Sequence, residues 1–144
     1  MIHELRLLLN DSRIDVNKGD ESRETGFMFA CENGHTDIVT LLLHDTRIDV
    51  NKGANYGMIG FMYACEKGYI ETVSLLLKDP RIDINKATNK GRTGFIIACL
   101  NGHTETVRLL LKDLRIDVNK EDCFRKTGFI YACENGHREI VLVF

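Results

Sequence analysis

Cysteine and histidine recur four residues apart in this sequence, a spacing at which a thiolate nucleophile and an imidazole base can lie side by side. The pattern occurs as three pairs, Cys31/His35, Cys99/His103 and Cys133/His137. At a fourth place Cys65 is followed by Tyr69 instead. A catalytic centre needs one such pair and a further group that orients the base, whereas this pattern is copied along the chain. We therefore predict no catalytic residues and no enzymatic activity, and interpret the cysteines as small apolar residues of packed helices.

The cysteine pairs belong to a repeat of 34 residues that runs through the whole sequence. The segment RIDVNK, or RIDINK in one copy, begins at Arg13, Arg47, Arg81 and Arg115. A second segment, ACENGH or a close variant of it, keeps the same period. Self-similarity at a fixed period of this length indicates a solenoid built from stacked units.

Each unit predicts two short helices followed by an arm and a turn. The apolar stretch Phe27–Cys31 predicts the first helix, which ends at Gly34, a typical residue for a helix C-terminus. The second helix begins at Thr36, a preferred capping residue, and carries a wide apolar stripe. Residues 47–51 alternate polar and apolar side chains and predict an extended arm, while the glycines of residues 53–57 predict a hairpin tip.

The motifs of the unit resemble those of the ankyrin repeat family over essentially the whole chain. The segment TGFIIAC at Thr93–Cys99 matches the family pattern T-P-L-H-x-A-A, Gly102-His103 matches G-H, and residues 117–119 match D-V-N. The resemblance implies an all-α, ankyrin-like helix-turn-helix solenoid with β-hairpin or extended arms. It also implies a single domain over residues 1–144, with a partial repeat 1–18, repeats 19–52, 53–86 and 87–120, and a partial repeat 121–144.

Two departures from the family pattern concern glycine. In all four copies glycine stands where the family has proline, at Gly26, Gly60, Gly94 and Gly128. The turn glycine present as Gly57 and Gly91 is replaced in the other two tips by Arg23 and Arg125. Because arginine disfavours a positive φ angle, we expect the two arginine tips to differ in shape from the two glycine tips.

The cysteines also indicate the chemistry of the surroundings. Packed helices lie about 8–10 Å apart, whereas a disulfide requires Cα atoms within roughly 7 Å. We therefore expect Cys31, Cys65, Cys99 and Cys133 to be buried, reduced and free of metal, and Cys123 to be exposed at a hairpin tip. No phosphate-binding loop or dinucleotide motif is present, so we expect no cofactor. Reduced cysteines are typical of an intracellular, cytoplasmic protein.

The charges are nearly balanced, with Lys+Arg 19 against Asp+Glu 21 and a formal net charge of −2. This balance disfavours nucleic acid as a partner, and no apolar run approaches the roughly 18 residues of a membrane span. Part of the balance lies in the arms, where Asp45, Arg47 and Asp49 recur in every copy and predict a ladder that bridges neighbouring units. The lysine column Lys18, Lys52, Lys86 and Lys120 is interpreted as a solvated edge.

The final residues, Leu142, Val143 and Phe144, are apolar and lie within a second helix that the chain completes only in part, at positions matching Thr40, Leu41 and Leu42. A solenoid normally carries polar capping units at both ends. Two interpretations stay open at this point. The chain is either a fragment of a longer ankyrin array or a natural short form with an exposed apolar end, or it is a structural protein that forms homodimers or end-to-end stacks through these residues.

Positions that differ between the units cluster at the hairpin tips and at the end of the first helix. In the ankyrin family these places line the concave face, so the resemblance implies a non-catalytic module or scaffold that binds a partner protein or peptide there. The predicted partner-binding residues of the tips are Glu24, Asn55, Tyr56, Met58, Asn89, Lys90, Arg92, Cys123, Phe124 and Lys126. Those of the helix ends are Glu32, Glu66, Lys67, Leu100, Asn101 and Glu134.

Within this set we expect apolar anchors and a change of charge. The anchors are Tyr56, Met58, Leu100 and Phe124, since such residues are enriched in binding hot spots. The tips are acidic at the beginning of the chain and basic near Arg92 and Lys126, which predicts a peptide with an acidic segment near the third and fourth tips. The bordering helix stripe of Phe29, Tyr63, Ile97 and Tyr131 is interpreted as packing between neighbouring first helices, with an aromatic floor of the binding groove as the alternative. Within this stripe Tyr63 and Tyr131 are the better candidates for exposure.

Overall fold

The computed structural model describes residues 1–144 as nine α-helices and one short 3-10 turn, with no β-strand. The helices are α1 Ile2–Leu9, α2 Gly26–Glu32, α3 Thr36–Leu43, α4 Gly60–Lys67, α5 Ile70–Leu77, α6 Gly94–Asn101, α7 Thr104–Leu111, α8 Gly128–Glu134 and α9 Arg138–Val143. The 3-10 turn spans Asn55–Gly57. The pairs α2/α3, α4/α5, α6/α7 and α8/α9 are called the first to fourth units. No helix is both long enough and apolar enough to cross a membrane.

The units stack so that each contacts only its neighbours. The first helices α2, α4, α6 and α8 contact one another in chain order and form one layer, while α1, α3, α5, α7 and α9 form a second layer in the same way. Twenty-five buried residues, from Phe27 to Ile140, form one contiguous cluster between and within these layers. The predicted all-helical solenoid is therefore confirmed, and its units share a single core.

Local signals account for the helix ends. The hydroxyls of Thr25, Thr93 and Thr127 each accept a hydrogen bond from the backbone N–H three residues later, at 3.3 Å. This is the arrangement expected of a helix N-terminal cap. In α4 the corresponding residue is Ile59, which makes no such bond and is fully buried instead. Gly68 and Gly102 end α4 and α6 in the left-handed conformation.

The glycines that replace the family's proline allow the units to approach closely. A Cβ atom on Gly94 would lie 2.8 Å from the ring of Phe61 and 3.1 Å from the sulfur of Cys65 in the preceding unit. Equivalent approaches occur at Gly60 and Gly128. At Gly26, which has no such unit before it, a Cβ atom would meet nothing within 4 Å. The first helices of the second, third and fourth units thus pack directly on an aromatic ring and a thiol of the preceding unit.

The arms are chains of tight turns, so the prediction of an extended segment over residues 47–51 is wrong. The N–H of Ile48 donates to the carbonyl of Asp45 at 3.1 Å, and that of Lys52 to the carbonyl of Asp49 at 3.3 Å. Both aspartates also accept a backbone N–H two residues later through their carboxylates, as aspartates in turns commonly do. The predicted β-hairpins are not confirmed either, since only two isolated bridges, Gly19 with Thr25 and Ala87 with Thr93, are formed.

The arms join neighbouring units through backbone groups, which corrects the predicted ladder of arginine and aspartate. Arg47 pairs with Asp45 only, and its guanidinium also donates to the carbonyl of Leu9 at the end of α1. The side chain of Asn17 bridges to the next arm, with its amide on the carbonyl of Arg47 and its oxygen on the N–H of Asp49. The next two junctions repeat these bonds.

Two members of the lysine column are also structural rather than solvated. The ammonium of Lys52 donates to the carbonyl of Asn17 at 2.6 Å, and that of Lys86 to the carbonyl of Asn51 at 2.8 Å. Each lysine therefore ties its arm to the preceding one. A donor fixed in this way is not free to track phosphate groups.

Candidate functional site: the tip face

Four tips, which are residues 20–24, 54–58, 88–92 and 122–126, precede the first helices of the four units. Together with the exposed side of α2, α4, α6 and α8 they form one surface, which we call the tip face. Each tip is closed by two backbone hydrogen bonds. In the first tip the N–H of Asp20 donates to the carbonyl of Glu24 at 3.0 Å, and the N–H of Arg23 donates to the carbonyl of Asp20 at 2.9 Å. Neighbouring tips are then joined to each other by single backbone bonds of 2.8–3.0 Å, from Asn55 to Ser22, from Asn89 to Tyr56 and from Cys123 to Lys90. The four tips form a continuous, backbone-linked row.

The expectation that the arginine tips differ from the glycine tips is wrong. Arg23 and Arg125 have φ angles of 65° and 58°, in the same left-handed region as Gly57 and Gly91 at 79° and 77°. The tip that departs from the others is the second, where Tyr56 also has a positive φ of 64°. This tip carries the 3-10 turn and directs a tyrosine outward.

An aspartate at the start of the tip explains how arginine adopts this conformation. The carboxylate of Asp20 accepts the N–H groups of Ser22 and Glu24, both at 2.9 Å. Asp122 accepts the two corresponding N–H groups of its own tip at 2.9 and 3.0 Å. The glycine tips begin with Ala54 and Thr88, of which only Thr88 accepts one such bond. Two carboxylate bonds thus offset the conformational cost that glycine avoids. The sequence has an aspartate three residues before each of these arginines, Asp20 before Arg23 and Asp122 before Arg125. This spacing is the signal from which the shared tip conformation could be predicted.

Tyr63 and Tyr131, the candidates for exposure on the helix stripe, are both buried. Tyr63 is 9% exposed, and its phenol donates a hydrogen bond to the carboxylate of Glu24 in the preceding tip. Tyr131 is 5% exposed and donates to Asp122 at 2.5 Å. Tip residues cover both phenols, and the carboxylates of Glu24 and Asp122 accept their hydrogen bonds. On the same stripe it is Phe29 that is exposed, at 40%.

The half-buried Arg92 and the buried Asp122 form a charge pair beside Tyr131. The guanidinium of Arg92 lies 5.2 Å from the ring centroid of Tyr131, donates to its hydroxyl at 3.1 Å, and places Nε 3.5 Å from Asp122. Burial alone would raise the pKa of the Asp122 carboxyl. The pKa is nevertheless lowered, because the Tyr131 hydroxyl and two backbone N–H groups donate to the carboxylate and the positive charge of Arg92 lies beside it.

Lys126 also forms an ion pair within the protein. Its ammonium lies 2.7 Å from the carboxylate of Glu134 and 5.3 Å from the ring of Tyr131. Arg92 and Lys126, which the sequence suggested as the centre of a basic surface, are therefore both paired within the protein.

The predicted partner-binding residues all lie on the tip face or just beneath it. The exposed ones are Asn55, Tyr56, Lys67, Asn89, Lys90, Asn101, Cys123, Phe124 and Glu134. The half-buried ones are Glu24, Glu32, Met58, Glu66, Arg92, Leu100 and Lys126. Met58 packs against the cluster of Met28, Ala54 and Tyr63, so it supports the tip rather than presenting a free anchor.

The inner cysteines are poor nucleophiles. Burial raises the pKa of the Cys31 and Cys99 thiols to about 12 and raises that of Cys65 as well. Cys123 is exposed, as predicted, but Cys133 is also exposed, which corrects the prediction of four buried thiols. The first three are covered by the glycine face of the following unit, and no further unit lies over α8. No three histidine, cysteine or carboxylate side chains gather closely enough to hold a metal ion.

Stacked helix-turn-helix units with a row of tips define an α-helical solenoid. The family model for ankyrin repeats, which describes three copies of the repeat, matches residues 2–88 and again residues 61–144. The chain therefore belongs to the ankyrin repeat family. A search of curated protein sequences finds no significant match. Ankyrin repeats are in general protein–protein interaction modules, and the family is typically non-catalytic.

Proposed function

We propose that the protein is a non-catalytic interaction module, a single domain of residues 1–144, that binds a partner protein or peptide through its tip face. The observation that carries the proposal is the exposure of Tyr56 and Phe124, at 77% and 58%, on the backbone-linked row of tips. Aromatic residues are enriched in binding hot spots because they bury a large area and lose little conformational entropy.

The tips support this role because they are held in place before any partner arrives. Tyr56 accepts the N–H of Asn89 through its own carbonyl, and the N–H of Asn55 beside it bonds to Ser22. Its backbone is therefore tied on both sides to neighbouring tips. A surface that is already ordered loses less entropy on binding than a free loop does.

The predicted contact residues divide into two roles under this proposal. The exposed residues, such as Tyr56, Lys90 and Phe124, make the contacts. The half-buried Met58, Arg92 and Lys126 hold the tips in position through their internal packing and pairing.

The test is a selection of peptides from a display library on the intact protein, followed by affinity measurement on two variants. Tyr56→Ser/Phe124→Ser removes both exposed aromatic side chains of the tip face. The matched control, Leu114→Ser, removes a leucine that is 98% exposed in the loop after α7, beside second-layer residues. We expect the selected peptides to lose binding to the double variant and to keep it with the control. The opposite pattern would place the binding site on the second layer.

Self-association is a second candidate function, favoured by the exposed side of the fourth unit. Phe129 and Ile130 of α8 are exposed, whereas the corresponding Phe95 and Ile96 are fully buried by the next unit. Leu142 is exposed as well, Val143 packs against the core, and the ring of Phe144 contacts those of Phe95 and Phe129. Sedimentation velocity decides this alternative. A mass that stays monomeric as concentration rises removes it, and Phe129→Ser should abolish any dimer that forms.

A further inference from the structure

The first two units of the tip face carry negative charge without an equal number of cations. Glu24, Glu32 and Glu66 come from the first tip, the end of α2 and the end of α4. All three carboxylates lie close enough to the phenol of Tyr63 to affect its pKa. Burial is the largest cause of the raised pKa of Tyr63, and the hydrogen bond to Glu24 and the negative charges of the three carboxylates raise it further. Because the phenol is neutral at physiological pH, it binds Glu24 without cancelling its charge.

The cations near these carboxylates compensate them poorly. Lys67 approaches Glu32 at 3.8 Å, with both side chains about a third exposed or more, and such a pair is weak in water. In the third and fourth units, by contrast, Arg92 is paired with the buried Asp122 and Lys126 with Glu134. The two halves of the tip face therefore differ: Glu24 and Glu66 form no ion pair in the first half, whereas in the second half Arg92 and Lys126 have acidic partners and Lys90 stays exposed.

The first half also carries the exposed apolar surface that a partner requires. Phe29 of α2 and Tyr56 of the second tip are both exposed. Lysine and arginine side chains pack their aliphatic stems on aromatic surfaces while their charged ends reach carboxylates. Exposed aromatic rings on the same two units as these weakly compensated carboxylates thus match this type of side chain and disfavour an acidic one.

We propose that the first two units of the tip face bind a lysine- or arginine-rich segment of a partner protein. The cationic side chains pack on Phe29 and Tyr56 and pair with Glu24, Glu32 and Glu66. The inference rests on the proposed function and specifies that the bound segment of the partner is positively charged. It reverses the polarity that the sequence suggested, because Arg92 and Lys126 already have acidic partners inside the protein.

The experiment uses two fluorescein-labelled peptides of equal length, in which leucine alternates with lysine or with glutamate. Fluorescence anisotropy with the full chain measures both affinities at low and at physiological salt, since screening weakens exposed ion pairs. We expect the lysine peptide to bind and the glutamate peptide not to bind. Glu32→Gln/Glu66→Gln should weaken the lysine peptide roughly tenfold, the effect of losing two partly exposed ion pairs.

A matched control separates a site from general attraction. Glu71→Gln/Glu139→Gln removes the same charge from exposed residues of α5 and α9 in the second layer. It should leave the affinity within about twofold of the unmodified protein, whereas an equal loss in both double variants would overturn the proposal by showing non-specific attraction. Failure of the lysine peptide to bind would overturn it as well.

The outcomes also keep this inference distinct from the proposed function. If the glutamate peptide binds instead, and Tyr56→Ser/Phe124→Ser abolishes that binding, the tip face is a binding surface but the charge assigned to its partner is wrong. If the lysine peptide binds and Tyr56→Ser leaves its affinity unchanged, the aromatic contact is wrong and the inference fails. Circular dichroism of every variant verifies that the fold is retained.

Discussion

The carboxylate of Glu24 accepts a hydrogen bond from the phenol of Tyr63 in the following unit, 39 residues later in the chain. The same separation joins Arg92 to the phenol of Tyr131, with the polarity of the tip residue reversed. At the junction between them the corresponding residues are Met58 and Ile97, both apolar. The last residue of a tip and the helix residue 39 positions later thus form an equivalent pair at each junction. The tip residue of this pair is acidic at Glu24, apolar at Met58 and basic at Arg92.

Tyr63→Phe should lower the free energy of unfolding by about 1 kcal/mol, the usual net value of one internal hydrogen bond. Urea denaturation followed by circular dichroism measures the change. Tyr56→Phe is the matched control, because the hydroxyl of Tyr56 makes no hydrogen bond within the protein, and it should leave stability unchanged. Equal effects of the two substitutions would contradict the role of the bond to Glu24.

The same phenol predicts a dependence on alkaline pH. Folding raises the pKa of Tyr63, so the folded state keeps this proton at pH values where the unfolded chain releases it. The stabilisation is complete below the unfolded pKa of about 10 and is lost as pH rises toward the folded value. Unfolding measured between neutral and alkaline pH should therefore show a steeper loss for the unmodified protein than for Tyr63→Phe. Parallel curves would exclude this linkage.

Asp20→Ala should destabilise the first tip by about 1–2 kcal/mol, because two backbone N–H groups lose a charged acceptor while Arg23 stays in the left-handed region. Adding Arg23→Gly should recover part of this loss, since glycine adopts a positive φ without a steric cost. Thermal unfolding of the two single variants and the double variant completes a mutant cycle. Strict additivity would show that carboxylate and arginine do not compensate each other.

Gly94→Ala should destabilise the protein by about 1–3 kcal/mol, because the new methyl group lies too close to Phe61 and Cys65. Gly26→Ala makes the same chemical change in α2, where the methyl group meets no neighbour, and should be neutral or slightly stabilising. The midpoints of urea denaturation compare the two. A tolerated alanine at position 94 would mean that the units can separate slightly at little cost.

Iodoacetamide should label Cys123 and Cys133 in the folded protein and leave Cys31, Cys65 and Cys99 unmodified until urea is added. The physical reason is access together with the raised pKa of the buried thiols, which keeps them protonated at neutral pH. Peptide mass spectrometry after a short reaction gives the extent of labelling at each site. Rapid labelling of Cys65 under native conditions would indicate local opening between the second and third units.

Local signals explain which features of the fold were predictable. Apolar runs, the capping threonines and the glycines after the first helices act within a few residues, so the helix pairs follow from the sequence. The period of 34 residues then requires that the units stack, since one unit alone cannot bury its apolar side. The arms were not predictable in the same way, because an alternation of polar and apolar residues fits both a strand and the turns that Asp45 and Asp49 stabilise.

The sequence by itself determined the repeat, the two helices of each unit and the surface on which the units differ, because these depend on composition and on neighbours along the chain. Only the tertiary structure decided which of those residues are free. Tyr63 is covered by Glu24 from another unit, and Arg92 is paired with Asp122. Cys133 is exposed on α8, the first helix of the fourth unit. The contacts of Tyr63 with Glu24 and of Arg92 with Asp122 join residues 39 and 30 positions apart, and the free charge on the tip face depends on such contacts.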